Sequence, residues 1–265
     1  MKNIYQDKDI PFDDFDEVLL PTALATMSDA AMDLLYHQTK KIMGRIVDYK
    51  ELRMIYACAM KEIKTKFDIL NTEFNLQYHR NPINSIQTRL KSTASIIEKL
   101  AKLNIPVDIE NVDKHIHDIA GVRVICSYID DVYLVAEALL KQDDITLVTR
   151  KDYIANPKEN GYRSLHLIVK VPVFLSERRL EMEVEVQLRT IAMDFWASLE
   201  HQLHYKTDFD GKDELVAELR KCAETISKTD NDMRRIRSKM ETLVDIPTEE
   251  DILIERIRKL DTPIE

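Results

Sequence analysis

The segment Lys158-Glu159-Asn160-Gly161-Tyr162-Arg163-Ser164-Leu165-His166 gathers two cations, an amide, an aromatic ring and an imidazole ahead of an apolar run, Leu165 to Val171. Lys158, Arg163 and His166 are groups that can hold phosphate oxygens, and Tyr162 offers a flat face to a purine. The chain has four glycines. Gly161, directly ahead of Tyr162, marks a tight turn or a close approach by a ligand. The same composition also suits a polar hairpin entering an ordinary strand. A second segment, Leu180 to Thr190, alternates strictly. Met182, Val184, Val186 and Leu188 share one face, and Glu181, Glu183, Glu185 and Gln187 share the other. Such a row of carboxylates is either a solvated sheet face or a metal and acid–base site. A third segment, His117 to Cys126, sets Asp118 and Gly121 ahead of a β-branched strand.

These segments, taken in order, resemble the synthetase domain of the RelA/SpoT-type alarmone synthetases. The residues that carry the resemblance are Asp-Ile-Ala-Gly-Val-Arg at 118–123, Lys-Glu-Asn-Gly-Tyr-Arg-Ser-Leu-His at 158–166 and Val-Glu-Val-Gln-Leu-Arg-Thr at 184–190. Arg89-Leu90-Lys91 with Ser95 and Lys99 resembles that domain's Arg-x-Lys…Ser…Lys helix. Phe195-Trp196-Ala197 and Glu200-His201 through Tyr205-Lys206 resemble its closing helix. The likeness runs from about Asn81 to Lys206, a little under half the chain. It implies transfer of pyrophosphate from ATP to the 3′-hydroxyl of GDP or GTP, giving ppGpp or pppGpp and AMP.

The resemblance also implies a set of roles. Asp118 and Glu185 match the catalytic carboxylate pair. Both would bind Mg²⁺, and Glu185 would polarise or deprotonate the 3′-hydroxyl. Arg89 and Arg123 match the arginines that sandwich adenine, and Lys91, Ser95 and Lys99 would face the ATP phosphates. Tyr162 would stack on guanine, while Lys158, Asn160, His166 and Gln187 would contact the guanosine nucleotide. Asp194 stands where the family often has asparagine or histidine; a carboxylate there can accept from guanine N1–H and the 2-amino group. Two other classes fit the same residues: a non-catalytic nucleotide- or RNA-binding regulator on this fold, and a nucleotidyltransferase that moves a nucleoside monophosphate instead.

Composition narrows the chemistry. A net charge of −9 argues against a surface that coats nucleic acid. The sequence holds neither G-x-x-x-x-G-K-[ST] nor G-x-G-x-x-G, so side chains and metal must hold any phosphates. Cys58, Cys126 and Cys222 are scattered and odd in number, and read as buried small hydrophobes in a reducing cytosol. His115-x-His117-Asp118 lacks the i, i+4 histidine spacing of helical zinc sites. The amino terminus is too charged for a signal peptide, and no run is long enough for a membrane span. A soluble, cytoplasmic protein is expected.

Periodicity places these residues on elements. Residues 1–20 are acidic and irregular. Residues 21–80 read as two helices, one from Pro21 to about Val47 and one from Tyr49 to Tyr78. A third helix, Ile83 to Leu103, would carry Lys91, Ser95 and Lys99 as one polar ridge. Strands are expected at Gly121–Tyr128, Thr146–Asp152, Ser164–Val171 and Leu180–Leu188, with a helix from Asp130 to Lys141 and another from near Thr190. The expected fold is α+β: a mixed or antiparallel sheet flanked by helices, nucleotidyltransferase-like over residues 81–206, with helical extensions on either side. Leu215, Leu219, Cys222, Ile226, Thr229, Met233, Ile236 and Met240 form an a/d seam, and residues 249–260 continue its spacing. Residues 213–261 therefore read as an oligomerisation region, and the resemblance implies a homotetramer. An allosteric alarmone or an RNA stays open as a further partner.

Overall fold

The computed structural model describes residues 29–77, 81–204 and 212–243, together with Leu253, Ile254 and Ile257. The acidic segment 1–20, the helix start at Pro21, the Tyr205-Lys206 pair and most of residues 249–260 fall outside the described residues. The chain divides into two compact units, residues 1–52 and 53–265. In the first, the described residues are helical, and those whose burial is described are exposed apart from half-buried Tyr49 and Leu52.

Helix α1 runs without interruption from Asp29 to Gln77. The two helices expected on either side of Asp48 are therefore one. The junction Val47-Asp48-Tyr49-Lys50 contains neither proline nor glycine, so nothing there breaks the i→i−4 ladder. In its later half, Ile55, Tyr56, Ala59, Ile63, Phe67, Leu70 and Phe74 are all buried. Their spacing of three and four traces one face.

The segment after Pro82 departs from the expectation. Ile83–Leu90 is strand β1, not the start of a helix. Its residues make a ladder with strand β2, Ala120–Cys126, running from Ile83↔Cys126 to Leu90↔Ala120. Every helical contact available to so polar an octet is local, whereas pairing gives its backbone groups partners along a sheet edge. The helix begins only at Thr93. Helix α2, Thr93–Lys102, is capped by Ser92, whose side chain accepts from the Ser95 N–H. Lys91 thus lies in the turn before α2, and only Ser95 and Lys99 share its face. A short helix, α3, Ile109–His115, follows.

Beyond β2 come α4, Ile129–Leu140; β3, Thr146–Asp152; β4, Leu165–Phe174; β5, Arg179–Thr190; and α5, Ile191–His204. The five strands form one sheet in the order β1-β2-β5-β4-β3. β2 and β5 pair in parallel, and the other three pairings are antiparallel. The sheet is therefore mixed, as α+β reading allowed. On one face Val122, Val124, Leu165, Leu167, Val169, Val184, Val186 and Leu188 are buried, as are Val132, Val135, Ala136 and Leu139 of α4. The opposite face carries the polar members of the alternating strands.

Helix α6, Lys212–Leu243, holds the heptad seam. Its first half packs within the chain: Trp196, Ala197 and Ala223 are buried together, with Tyr162, Leu219 and Ile226 against them. Trp196 Nε1 donates to the Leu219 carbonyl at 3.0 Å, and the Thr190 hydroxyl donates to Asp230 at 2.7 Å. Arg237 reaches Asp130 at the start of α4 at 2.7 Å. Met233, Ile236 and Met240 stay exposed, as does Cys222; of the three cysteines expected to be buried, Cys126 alone is, and Cys58 is half-buried. The seam thus serves two purposes, one half docked on the chain's own core and one half open.

Thr190 also accepts from the Met193 N–H at 3.1 Å, so one hydroxyl caps α5 and holds α6. Thr190→Val leaves that N–H and the buried Asp230 without their partner. It should lower unfolding stability by about 1–3 kcal/mol, read as a drop in the urea midpoint.

Candidate active site

Register assembles the site. Strand pairing places Gln87, Arg123, Gln187 and His166 opposite one another across β1, β2, β5 and β4. The next row on the same face is Arg89, Gly121, Glu185 and Ile168. Residues directly paired across a ladder point to the same side, so two rows of the sheet deliver two arginines, one carboxylate, two amides and one imidazole to one surface. A cleft of about 640 Å³ opens there, and its lining includes Arg89, Lys91, Asp118, Arg123, Tyr162, Glu185, Gln187 and Arg189, with Glu200 and His201 of α5.

Asp118 sits just before β2. Its two carboxylate oxygens accept from Lys91 at 2.6 Å and Lys99 at 2.7 Å. Burial works to raise the Asp118 carboxyl, but the two ammonium groups override it and hold the carboxyl below its ordinary value. Glu185 is treated similarly by other partners. Burial raises it, and the charge of Asp118 adds to that; hydrogen bonds from His166 and Gln187 outweigh both and bring it below the usual range. His166 Nδ1 lies 3.3 Å from one Glu185 oxygen, and Gln187 Nε2 donates to the other at 2.8 Å. Among the described residues no three His, Cys, Asp or Glu side chains gather as a metal cluster.

The loop ahead of β4 is held by its own hydrogen bonds. Gly161 N–H donates to the Lys158 carbonyl at 2.8 Å, and Tyr162 N–H donates to the Asn160 side chain at 3.1 Å. Asn160 also donates to Glu200 at 3.2 Å. Gly161 has φ +90, and a Cβ there would lie 2.5 Å from Ala223 Cβ. The glycine expected for a turn is therefore required twice, by backbone angle and by the approach of α6. The Lys158 ammonium stands 4.8 Å from the centres of both the Tyr153 and Tyr162 rings. Arg163 is structural instead: its guanidinium donates to the Ile154 carbonyl at 3.0 Å.

Most residues singled out from the sequence converge. Arg89, Lys91, Asp118, Arg123, Tyr162, Glu185 and Gln187 line the cleft; Lys99 reaches it through Asp118, and His166 through Glu185. Lys158 and Asn160 shape the loop that presents Tyr162. Asp194 accepts from Arg189 at 3.2 Å and lies 3.5 Å from Arg123. Ser95 stands apart, half-buried and bonded to Ser92 at 2.9 Å. Sequence reasoning missed Arg189, Gln87, Tyr153 and the Glu200 and His201 pair as parts of the site. The signal for Arg189 was present. It extends the Glu185, Gln187 alternation by one step, but the strand was expected to end at Leu188.

Residues 88–210 match the model of the region found in RelA/SpoT proteins. The chain is 42% identical over 210 residues to the GTP pyrophosphokinase YwaC of Bacillus subtilis, covering 79% of this chain and 100% of that protein. The crystal structure of small alarmone synthetase 2 from Bacillus subtilis superposes with a TM-score of 0.66 at 44% identity, over 72% of this chain and 99% of that one. Small alarmone synthetase 1 of the same organism, bound to its product pppGpp, gives 0.67 at 34% identity, over 73% and 98%. The chain belongs to the RelA/SpoT family.

Gly161→Ala meets both the positive φ and the Ala223 contact. It should cost about 1–3 kcal/mol of stability. Pairing it with Ala223→Gly should recover the part due to the clash and leave the part due to φ, as read by thermal denaturation of the single and double variants.

Proposed function

We propose that this chain is a pyrophosphokinase that moves the β,γ-pyrophosphate of ATP onto the 3′-hydroxyl of GDP or GTP, giving ppGpp or pppGpp and AMP. The observation that carries this reading is the placement of Asp118 and Glu185 in one cleft between unlike surroundings. On the β1–β2 side stand Arg89, Lys91 and Arg123; on the β4–β5 side stand Tyr162, His166 and Gln187.

ATP takes the cationic side. Guanidinium planes stack on bases, and Arg123 Nε is buried with no hydrogen-bond partner, a donor suited to an incoming acceptor. Lys91 and Lys99 suit the phosphates, which offer these ammonium groups an alternative to Asp118; Ser95 enters through the next turn of α2. The guanosine nucleotide takes the other side, with Tyr162 under the base, Lys158, Asn160, His166 and Gln187 around it, and Asp194 as the candidate for guanine N1–H.

A ribose hydroxyl is a poor nucleophile at neutral pH, so attack needs a base and alignment. Glu185 suits that task, since its partners keep it ionised and aim both of its oxygens. Asp118 and Glu185 also suit a divalent cation: both are oxygen donors, and the charge of one bears on the other. Mg²⁺ bound there would supply neutralisation of the phosphate charge. In the same reading the protein works in the cytoplasm; no described helix is long and apolar enough to cross a membrane. It assembles as a homo-oligomer, a tetramer, through the exposed half of the α6 seam.

Chromatography of nucleotides after incubating the purified protein with ATP, GDP and Mg²⁺ tests the activity. AMP with ppGpp supports it; release of pyrophosphate points to nucleotidyl transfer, and absence of turnover to a binding-only regulator. Asp118→Asn and Glu185→Gln should each lose at least ~10² in turnover while folding normally. Near wild-type rates in either variant at saturating Mg²⁺ would sink the assignment.

Tyr162→Ala should weaken the guanosine nucleotide by roughly 1–3 kcal/mol and ATP far less. Tyr162→Phe keeps the ring face and should retain that binding. Arg123→Ala should show the opposite substrate preference, measured by titrating each nucleotide alone. For assembly, replacing Met233, Ile236 and Met240 together by glutamate should lower the mass found by light scattering; an unchanged mass would place the interface elsewhere.

A further inference from the structure

Arg189 is 5% exposed and yet faces the cleft. It ends the polar face of β5 that begins with Glu185 and Gln187. Its Nη2 donates to the Tyr162 hydroxyl at 2.5 Å and to Gln187 Oε1 at 3.0 Å. Its Nη1 donates to Asp194 at 3.2 Å, and its Nε to the Ser164 hydroxyl at 3.4 Å. Ser164 is fully buried and anchored to the Leu188 carbonyl. The guanidinium is therefore clamped on three sides while two of its bonds lead toward Glu185.

Those two bonds impose direction. Arginine only donates. The Tyr162 oxygen accepts from it, so the phenol's own hydrogen turns to the atom in reach, His166 Nε2 at 2.8 Å. A neutral imidazole that accepts at Nε2 carries its hydrogen on Nδ1, which is the nitrogen beside Glu185. The second path works the same way. Gln187 gives its oxygen to Arg189, so its NH₂ is left to face the other Glu185 oxygen. The five side chains close a ring in which every hydrogen bond runs from Arg189 toward Glu185.

We propose that Arg189 is a positioning residue: it fixes the His166 tautomer and the Gln187 amide orientation so that both donate to Glu185. It touches neither of the reacting groups in this assignment. Its catalytic consequence rests on Glu185 acting as the base, but the tautomer does not. Without the guanidinium, Tyr162 loses the donor that orients its hydroxyl, Gln187 is free to flip, and Glu185 loses its fixed aim. Misplacement of a reacting group on this scale costs on the order of 10² in rate.

The test uses the intact protein labelled with ¹⁵N-histidine, at a pH where the imidazole is neutral, with His166→Gln to assign the resonances. His166 is expected as the Nδ1–H tautomer in the wild type. It is expected to shift to a mixture, or to Nε2–H, in Arg189→Met. Tyr162→Phe, a near-isosteric change that removes only the hydroxyl, should shift the tautomer in the same way. Arg189→Lys, which can still donate to the Tyr162 oxygen, should restore the Nδ1–H form and part of the rate. In steady-state assays Arg189→Met should lose ~10² in kcat with the ATP KM within about twofold. An Nε2–H tautomer in the wild type overturns the proposal, as does a tautomer unchanged in both Arg189→Met and Tyr162→Phe. If the tautomer shifts as expected but the wild type makes no ppGpp, the positioning role stands and the proposed activity fails.

Discussion

Arg123 and Gln187 stand side by side because β2 and β5 pair in parallel, and the site depends on that one pairing. It joins the hairpin-like β1–β2 ladder to the β3–β4–β5 meander. A shift of one residue in β2 would turn Arg123 into the apolar core and bring Val122 and Val124 to the cleft. The core forbids that slip. Val122, Val124, Val184, Val186 and Leu188 are all at or near zero exposure. Hydrophobic burial on one face therefore determines the position of the chemistry on the other.

The second constraint is charge. Asp118 and Glu185 are half-buried anions that raise each other's cost of ionisation. The molecule offsets this with different partners for each: two lysines for Asp118, and an imidazole and an amide for Glu185. The difference matters physically. Ammonium groups on flexible stems can transfer to another anion with little strain. The ring around Glu185 cannot rearrange in that way, because each member's donor is set by the next. One carboxylate is thus held by mobile charge and the other by fixed dipoles, an arrangement that separates charge compensation from orientation.

How much of this the sequence disclosed followed from the range of the interaction. The alternation of Leu180 to Thr190 and the apolar run from Leu165 are local, and both strands form as read. The eight side chains of Ile83 to Leu90 have no strong period, and the state of that segment is settled by a partner about thirty to forty residues away, at Ala120 to Cys126. The ridge of Lys91, Ser95 and Lys99 failed for the same reason: Lys91 and Lys99 do meet at Asp118, but through a turn and a capped helix rather than along one helix face. Gly161 was legible as a special backbone position; that Ala223 of a distant helix makes it obligatory was not. Arg189 shows the remaining limit. Its type and parity were visible, yet its function as a hub needs Tyr162, Gln187, Ser164 and Asp194 to be brought together by three separate elements.

Helix α6 lies beyond residue 210, where the match to the RelA/SpoT region stops, yet it is bound into the site. Ala223 fills the space that any side chain at position 161 would need, Leu219 takes the Trp196 N–H, and Asp230 takes the Thr190 hydroxyl. These contacts bear on the loop that presents Tyr162 and on the first turn of α5, the two elements that close the β4–β5 side of the cleft. On the β1–β2 side, among the described residues, Asp118 is held by Lys91 and Lys99. The same helix carries Met233, Ile236 and Met240 outward from the cleft. It is anchored at two places, at the Tyr162 loop through Ala223 and at the start of α4 through Arg237 on Asp130. The two sides of the cleft thus have different supports, a long helix behind the Tyr162 loop, and ion pairs at Asp118 with Arg53 of α1 donating to the Lys91 carbonyl at 2.9 Å.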